Sequence, residues 1–187
     1  MKIILSHRLA QIKPSPTLSL SAAANRLKAN GKPIINLTVG EPDFDTPESI
    51  KQAARAALDQ GFTKYTAVDG MLALKQAVVD KFKRENKLNY PLDHVIVSSG
   101  AKQSIYNLMQ CLLNPDDEVI IPAPYWVSYP DMALLAEAKP VIIATSIKQQ
   151  LKITPAQLEA AITEKTRLFI INSPSNPTGM VYTPTEL

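Results

Sequence analysis

Four short apolar, mostly β-branched runs constrain this chain more than any other feature: "HVIVS" near 94–98, "EVIIP" near 118–122, "PVIIAT" near 140–145 and "RLFIIN" near 167–172. Each is continuous instead of alternating, the pattern of a strand buried on both faces. Stretches of helical periodicity separate most of them, so the chain predicts an α/β fold built on a mostly parallel sheet. In such sheets ligands gather at the carboxyl ends of the strands. The unusual residues of this sequence lie there: the first run leads into "SSGAKQS", the second into "PAPYW" and the fourth into "NSPSNPTG".

Three helices are legible by periodicity and punctuation. "TPESIKQAARAALDQG" has Thr46 placed as N-cap, Pro47 at the first helical position, apolar residues at Ile50, Ala53, Ala54, Ala57 and Leu58, and Gly61 as the stop. "MLALKQAVVDKFKREN" puts Leu74, Ala77, Val78 and Phe82 on one face, and "QSIYNLMQCLL" does so with Ile105, Leu108, Met109, Leu112 and Leu113. Residues 1–45 read differently: Pro14 and Pro16 precede a helix, and "IINLTVGEPDFDTPE" reads as a short strand and a turn. They form an N-terminal arm and small-domain segment, and 46–187 the main domain. Near the end, Thr183, Pro184 and Glu186 make an N-cap, a first position and a capping-box acid. A helix starts there, and a four-stranded parallel sheet would keep an open edge. Both features predict the N-terminal part of a longer chain.

The turn "SSGAKQS" leaves the backbone N–H groups of a helix start unpaired, with the helix dipole behind them, which outlines an anion cradle. It is neither a Walker loop nor a dinucleotide Gly-x-Gly-x-x-Gly, and small residues also suit any tight strand-to-helix turn. Trp126, the one tryptophan, sits at a strand end where an indole can stack on a flat ring or pack into the core. Asn176 before Pro177 presents an amide in a fixed direction, and Gly40 leaves backbone open at another strand end. Tyr65 beside Lys64 lies on a turn.

With 45% apolar and 20% charged residues in 187, the chain can bury the core of one domain of ordinary size. A net charge of +3, scattered along the sequence, argues against nucleic-acid or anionic-membrane partners and leaves small anions. Cys111 has no cysteine to pair with and reads as a buried thiol in a reducing compartment. The N-terminus lacks a signal-peptide core, and no run reaches the roughly 18 apolar residues of a membrane span. A cytoplasmic protein without a metal site is expected.

In order and spacing, "GEPDFDTPE", "KYTAVDG", "SSGAKQS", "PAPYWVSYP" and "NSPSNPTG" together resemble the N-terminal half of class I aminotransferases of pyridoxal-phosphate fold type I, the bacterial aspartate branch above all. The resemblance implies a three-layer α/β/α fold and pyridoxal 5′-phosphate as cofactor, its phosphate held by backbone N–H groups of Gly100, Ala101 and Lys102. It further implies that Trp126 stacks on the pyridine ring and Asn176 binds the ring's phenolic oxygen, with both also near substrate. Tyr65 would reach the phosphate of the other subunit of a homodimer, and Gly40 the substrate α-carboxylate. Cis peptides before Pro124 and Pro177 are expected on the same ground. Thr17 approaches the substrate in this branch, but in "SPT" it reads better as a helix start.

The implied reaction moves an amino group between an L-amino acid, aspartate first, and a 2-oxo acid such as 2-oxoglutarate. Prephenate and aromatic or broad acceptors remain open. The Schiff-base lysine, the aspartate facing the pyridine nitrogen and the arginine clamping the α-carboxylate lie downstream in such enzymes, so no catalytic residue is assigned here and this stretch alone is expected to be inactive. Three alternatives stay in view: a lyase or decarboxylase on the same scaffold, a simple phosphate-ligand module, and a non-catalytic assembly fragment.

Overall fold

The computed structural model describes residues 3–187. The chain forms two compact units, one of residues 1–15 with 100–187 and one of residues 16–99.

The first unit holds the sheet. Its strands are β1 (Glu118–Pro122), β2 (Lys139–Ile143) and β3 (Thr166–Phe169), all parallel in the order β2-β1-β3. The central position of β1 explains its sequence: Val119, Ile120 and Ile121 are fully buried, on alternating faces. Val119 and Ile121 join Met109 and Leu113 from helix α5 (Ala101–Leu112) and its cap, and Tyr129, Met132 and Ala133 from α6 (Ser128–Leu135), in one core. The flanking strands differ from the expectation of two covered faces. Ile142 of β2 and Phe169 of β3 are exposed, so the sheet's faces are not fully covered at its two outer strands among the described residues. Opposite Glu118 and Val119, β3 presents Thr166 and Leu168, so Arg167 is bulged out of the ladder.

Helix α7 (Pro155–Ala161) starts with a reciprocal capping box: the Gln157 N–H donates to Thr154 Oγ1 at 3.3 Å, and Gln157 Oε1 accepts from the Thr154 N–H at 3.0 Å. A short helix, α1 (His7–Ala10), capped by Ser6, lies beside α6. Cys111 is exposed, contrary to expectation. Helix α5 buries Met109, and two residues on, about 200° round the helix, a side chain faces away from that core.

The second unit contains α2 (Pro16–Ala29), α3 (Glu48–Asp59) and α4 (Leu72–Lys81). Pro16 opens α2, as its place in "KPSPT" predicts. Gly31 and Gly61 take left-handed φ of 75° and 80° after α2 and α3. Each N–H bonds back to the carbonyl three residues before, while the next residue reaches the carbonyl five before it, the double bond of a glycine stop. The start of α3 falls one residue later than predicted: Pro47, extended, is the cap, and no side chain of Thr46 closes it.

Two predicted strands are absent among the described residues. Over 34–40, Asn36 Oδ1 accepts from both the Thr38 N–H (3.0 Å) and the Thr38 hydroxyl (2.7 Å), a local turn that competes with a ladder and leaves Ile35 and Leu37 exposed. Residues 95–98 are extended but have no ladder partner; the Val97 N–H bonds to the Asp69 carbonyl instead. His94 ends a one-turn 3₁₀ segment. On α4 the predicted apolar stripe is largely open, with Leu74 and Ala77 exposed. The buried residue is Lys75, whose ammonium pairs with Asp69.

Replacing Ile121 by Ala should cost about 2–5 kcal/mol of unfolding free energy, and Ile142→Ala under about 1 kcal/mol, since only the first leaves a cavity in a closed core. Urea unfolding of the two variants checks the ordering.

Candidate active site

The N-terminus of α5 is built to be left open. Gly100 is its cap at φ 86° and ψ 164°, a left-handed conformation that suits glycine, and it brings no side chain of its own to the helix start. A Cβ placed on Gly100 would meet nothing within 4 Å, so a ligand has room to approach the first turn. Open N–H groups at the positive end of a twelve-residue helix suit a phosphate. Ala101 and Lys102 form that first turn, and the Lys102 ammonium lies 4.9 Å above the Trp126 ring.

Trp126 follows β1 closely, and hydrogen bonds fix its approach. The Ala123 N–H donates to the Ile143 carbonyl at 2.9 Å and the Thr145 hydroxyl donates to the Ala123 carbonyl at 2.6 Å, tying the chain after β1 to the end of β2. The Ala123–Pro124 peptide is cis, as expected. The half-buried indole then meets Tyr129 edge-on, centroids 5.4 Å apart and planes at 89°. The indole thus meets one ring at a right angle and one cation over a face, and it packs partly against the core cluster. Burial pushes the Tyr129 phenol above its usual range, so it stays protonated at neutral pH.

Asn176 lies in the loop after β3. Its N–H donates to Asn172 Oδ1 at 2.8 Å, and its peptide to Pro177 is cis as expected; the Ser173–Pro174 peptide is also cis, which the sequence reading did not anticipate. Asn176 shares a narrow cleft with Pro124, Tyr125 and Tyr129. Contacts therefore run from Lys102 to Trp126, to Tyr129, and into the cleft of Asn176. Gly40 and Tyr65 belong to the second unit, where Tyr65 is fully exposed and the space around Gly40 is open.

The set of groups brought together, an anion-ready helix start, an indole face and an amide, fits pyridoxal phosphate. A family model, aminotransferase class I and II, matches residues 32–187. The chain belongs to the class I and II aminotransferases. An aspartate/prephenate aminotransferase of Nitrosomonas europaea is 61% identical over 183 residues, 98% of this chain and 46% of that protein. An aspartate aminotransferase of a Bacillus species is 53% identical over 187 residues, covering 100% of this chain and 48% of its own. Among solved structures, the aspartate aminotransferases of Rhizobium meliloti and of Thermus thermophilus, the latter with maleate, superpose with TM-scores of 0.94 and 0.95 at 49% and 44% identity. They cover 99% and 98% of this chain and 46% and 48% of theirs. This aminotransferase chain has the fold type I architecture and spans about half the length of the relatives it matches.

A feature not read from sequence sits behind the cleft. Lys152 is buried, and its ammonium donates to Glu186 Oε1 and Oε2 at 2.6 and 2.8 Å and to the Val181 carbonyl at 3.4 Å. The hydrogen bond from Lys152, and next that from the Thr183 N–H, lower the Glu186 carboxyl from 4.5 to about 2. The predicted capping of the last turn is present: Glu186 accepts from Thr183, and the Leu187 N–H reaches the Thr183 carbonyl at 3.2 Å. A carboxyl lowered in the fold stabilises it above its unfolded value and loses that contribution as pH falls toward the folded one. Acid unfolding of the wild type should therefore steepen between pH 4.5 and about 2 relative to Glu186→Gln, and equal slopes would contradict the pair.

Proposed function

We propose that this chain is the phosphate- and ring-binding part of a pyridoxal-phosphate-dependent aminotransferase that exchanges an amino group between L-aspartate and 2-oxoglutarate, with prephenate as a further acceptor. The observation that carries the reading is the open α5 start at Gly100, with Lys102 against Trp126 and the Asn176 cleft beyond it. The relatives' names, aspartate and aspartate/prephenate aminotransferase, point to dicarboxylate substrates, and the unneutralised Lys102 ammonium favours anionic ligands. The cofactor, when bound, supplies the electron sink that makes the amino acid's α-proton labile.

This chain's own residues bind and orient. Backbone N–H groups of Gly100, Ala101 and Lys102 hold the phosphate, Trp126 stacks on the ring, and the Asn176 amide donates to the ring's phenolic oxygen. Gly40 leaves room for the substrate α-carboxylate. Tyr65 serves the phosphate in a second copy, which makes the working form a homodimer in the cytoplasm. Residues 1–45 act as arm and small-domain segment and 46–187 as part of the large cofactor domain. No lysine here is assigned to carry the cofactor.

The test uses the protein expressed from its natural reading frame. Trp126→Ala and Asn176→Ala should each weaken pyridoxal-phosphate binding or slow aspartate-to-2-oxoglutarate transfer by about 1–3 kcal/mol, through lost stacking or a lost buried hydrogen bond. Unchanged affinity and rate in both would remove the site assignment. Transfer from aspartate to prephenate, assayed alongside, decides the acceptor.

A further inference from the structure

We infer that Lys152 is a positioning residue whose grip on Glu186 and Val181 fixes the loop that carries Asn176. The inference rests on the cofactor reading above. Lys152 has three N–H donors, and its three recorded acceptors all lie in the stretch 181–186. Next to it, the Ile153 N–H donates to the Tyr182 hydroxyl at 2.9 Å. Residues 152–153 thus hold 181–182 from one side.

Tyr182 passes that restraint on. Its N–H donates to Ser173 Oγ at 3.0 Å, closing the base of the loop. Within the loop, the Ser175 N–H reaches the Met180 carbonyl at 2.9 Å, and the Gly179 N–H, at φ 71°, reaches the Ser175 carbonyl at 2.7 Å. Asn176 follows Ser175 directly and is tied to Asn172. Tyr182 is therefore the link between the clamp and the hydrogen-bonded loop backbone around Asn176. Tyr182 and Asn176 also line the same cleft.

A stabilising role alone does not account for a buried lysine. Replacing a buried ion pair by apolar groups of similar size is often neutral or favourable, so what such a pair adds is a defined geometry. Methionine at 152 keeps the length and apolar stem without the charge. Lys152→Met takes the partner from a partly exposed Glu186 and should lower the midpoint of global unfolding modestly, while the loop amides of 175–180 lose more protection than those of β1.

Hydrogen exchange and cofactor binding, the latter read by equilibrium titration with pyridoxal phosphate, test this in the protein from its natural reading frame. In Lys152→Met, exchange at 175–180 should quicken at least about tenfold, well beyond any change at Val119–Ile121. Pyridoxal-phosphate affinity should fall about 3- to 10-fold, and the same change should add nothing in an Asn176→Ala background. Glu186→Gln, which keeps the shape, should move both readouts the same way by less. Unchanged loop exchange in both variants, or a loss spread equally over β1, overturns the proposal. So does a loosened loop with unaltered affinity where Asn176→Ala alone weakens binding. If Asn176→Ala has no effect, the cofactor reading fails first, and the role of Lys152 toward the cofactor goes with it.

Discussion

The burial of β1 between two parallel neighbours is the constraint on which the first unit depends. Val119, Ile120 and Ile121 lose all contact with water, each contributing about 1.5–3 kcal/mol of apolar burial. A parallel ladder also aligns the carboxyl ends of its strands, so the segments after β1 and β3 leave the sheet on the same side. Trp126 and Asn176 stand on those two segments. The site is a consequence of the ladder before it is a property of its residues.

What the ladder cannot do is aim a side chain. That falls to polar contacts at the strand ends, which fix backbone more than side chain. Ala123 is held by Ile143 and Thr145, and from there the indole is set against Tyr129; Asn172 and Ser173 hold the loop of Asn176. Gly100 supplies the opposite device. A helix start whose cap residue brings no side chain leaves its first N–H groups within reach of a bound anion.

The sequence was most legible where one local rule acted alone. β1, α5, the Pro16 start of α2 and the stop at Gly61 follow from burial, periodicity or left-handed glycine, each decided within a few residues. Legibility failed where a strand needs a partner: "HVIVS" has the composition of a strand, but among the described residues no strand pairs with it. "IINLT" failed for a different reason, a short Asn36–Thr38 turn that outcompetes pairing. At the site, Trp126 and Asn176 stood out by type and place, while Asn172, four residues before Asn176, was an available signal left unread. The "TPAQ" capping box of α7 was another. Nothing local links Lys152 to Glu186, whose separation of 34 residues only the fold closes.

Buried charge follows one logic across the chain. Lys75 pairs with Asp69, whose carbonyl also receives the Val97 N–H, while Gly70 leaves no space for a Cβ beside Val97. Glu118 accepts from the Thr163 hydroxyl at 2.6 Å and so ties the stretch before β3 to the start of β1. Lys152 does the same for the stretch after β3. Lys75 finds its partner only six residues away, but Glu118 and Lys152 are satisfied by segments 45 and 34 residues distant, turns or loops with few apolar side chains of their own. Apolar burial cannot specify where such segments go, because they have little to bury. A directional bond to a buried charge can, since any other path leaves the charge without a partner. The core of this chain therefore decides that it folds, and its few buried charges decide where the loops that bear the site come to rest.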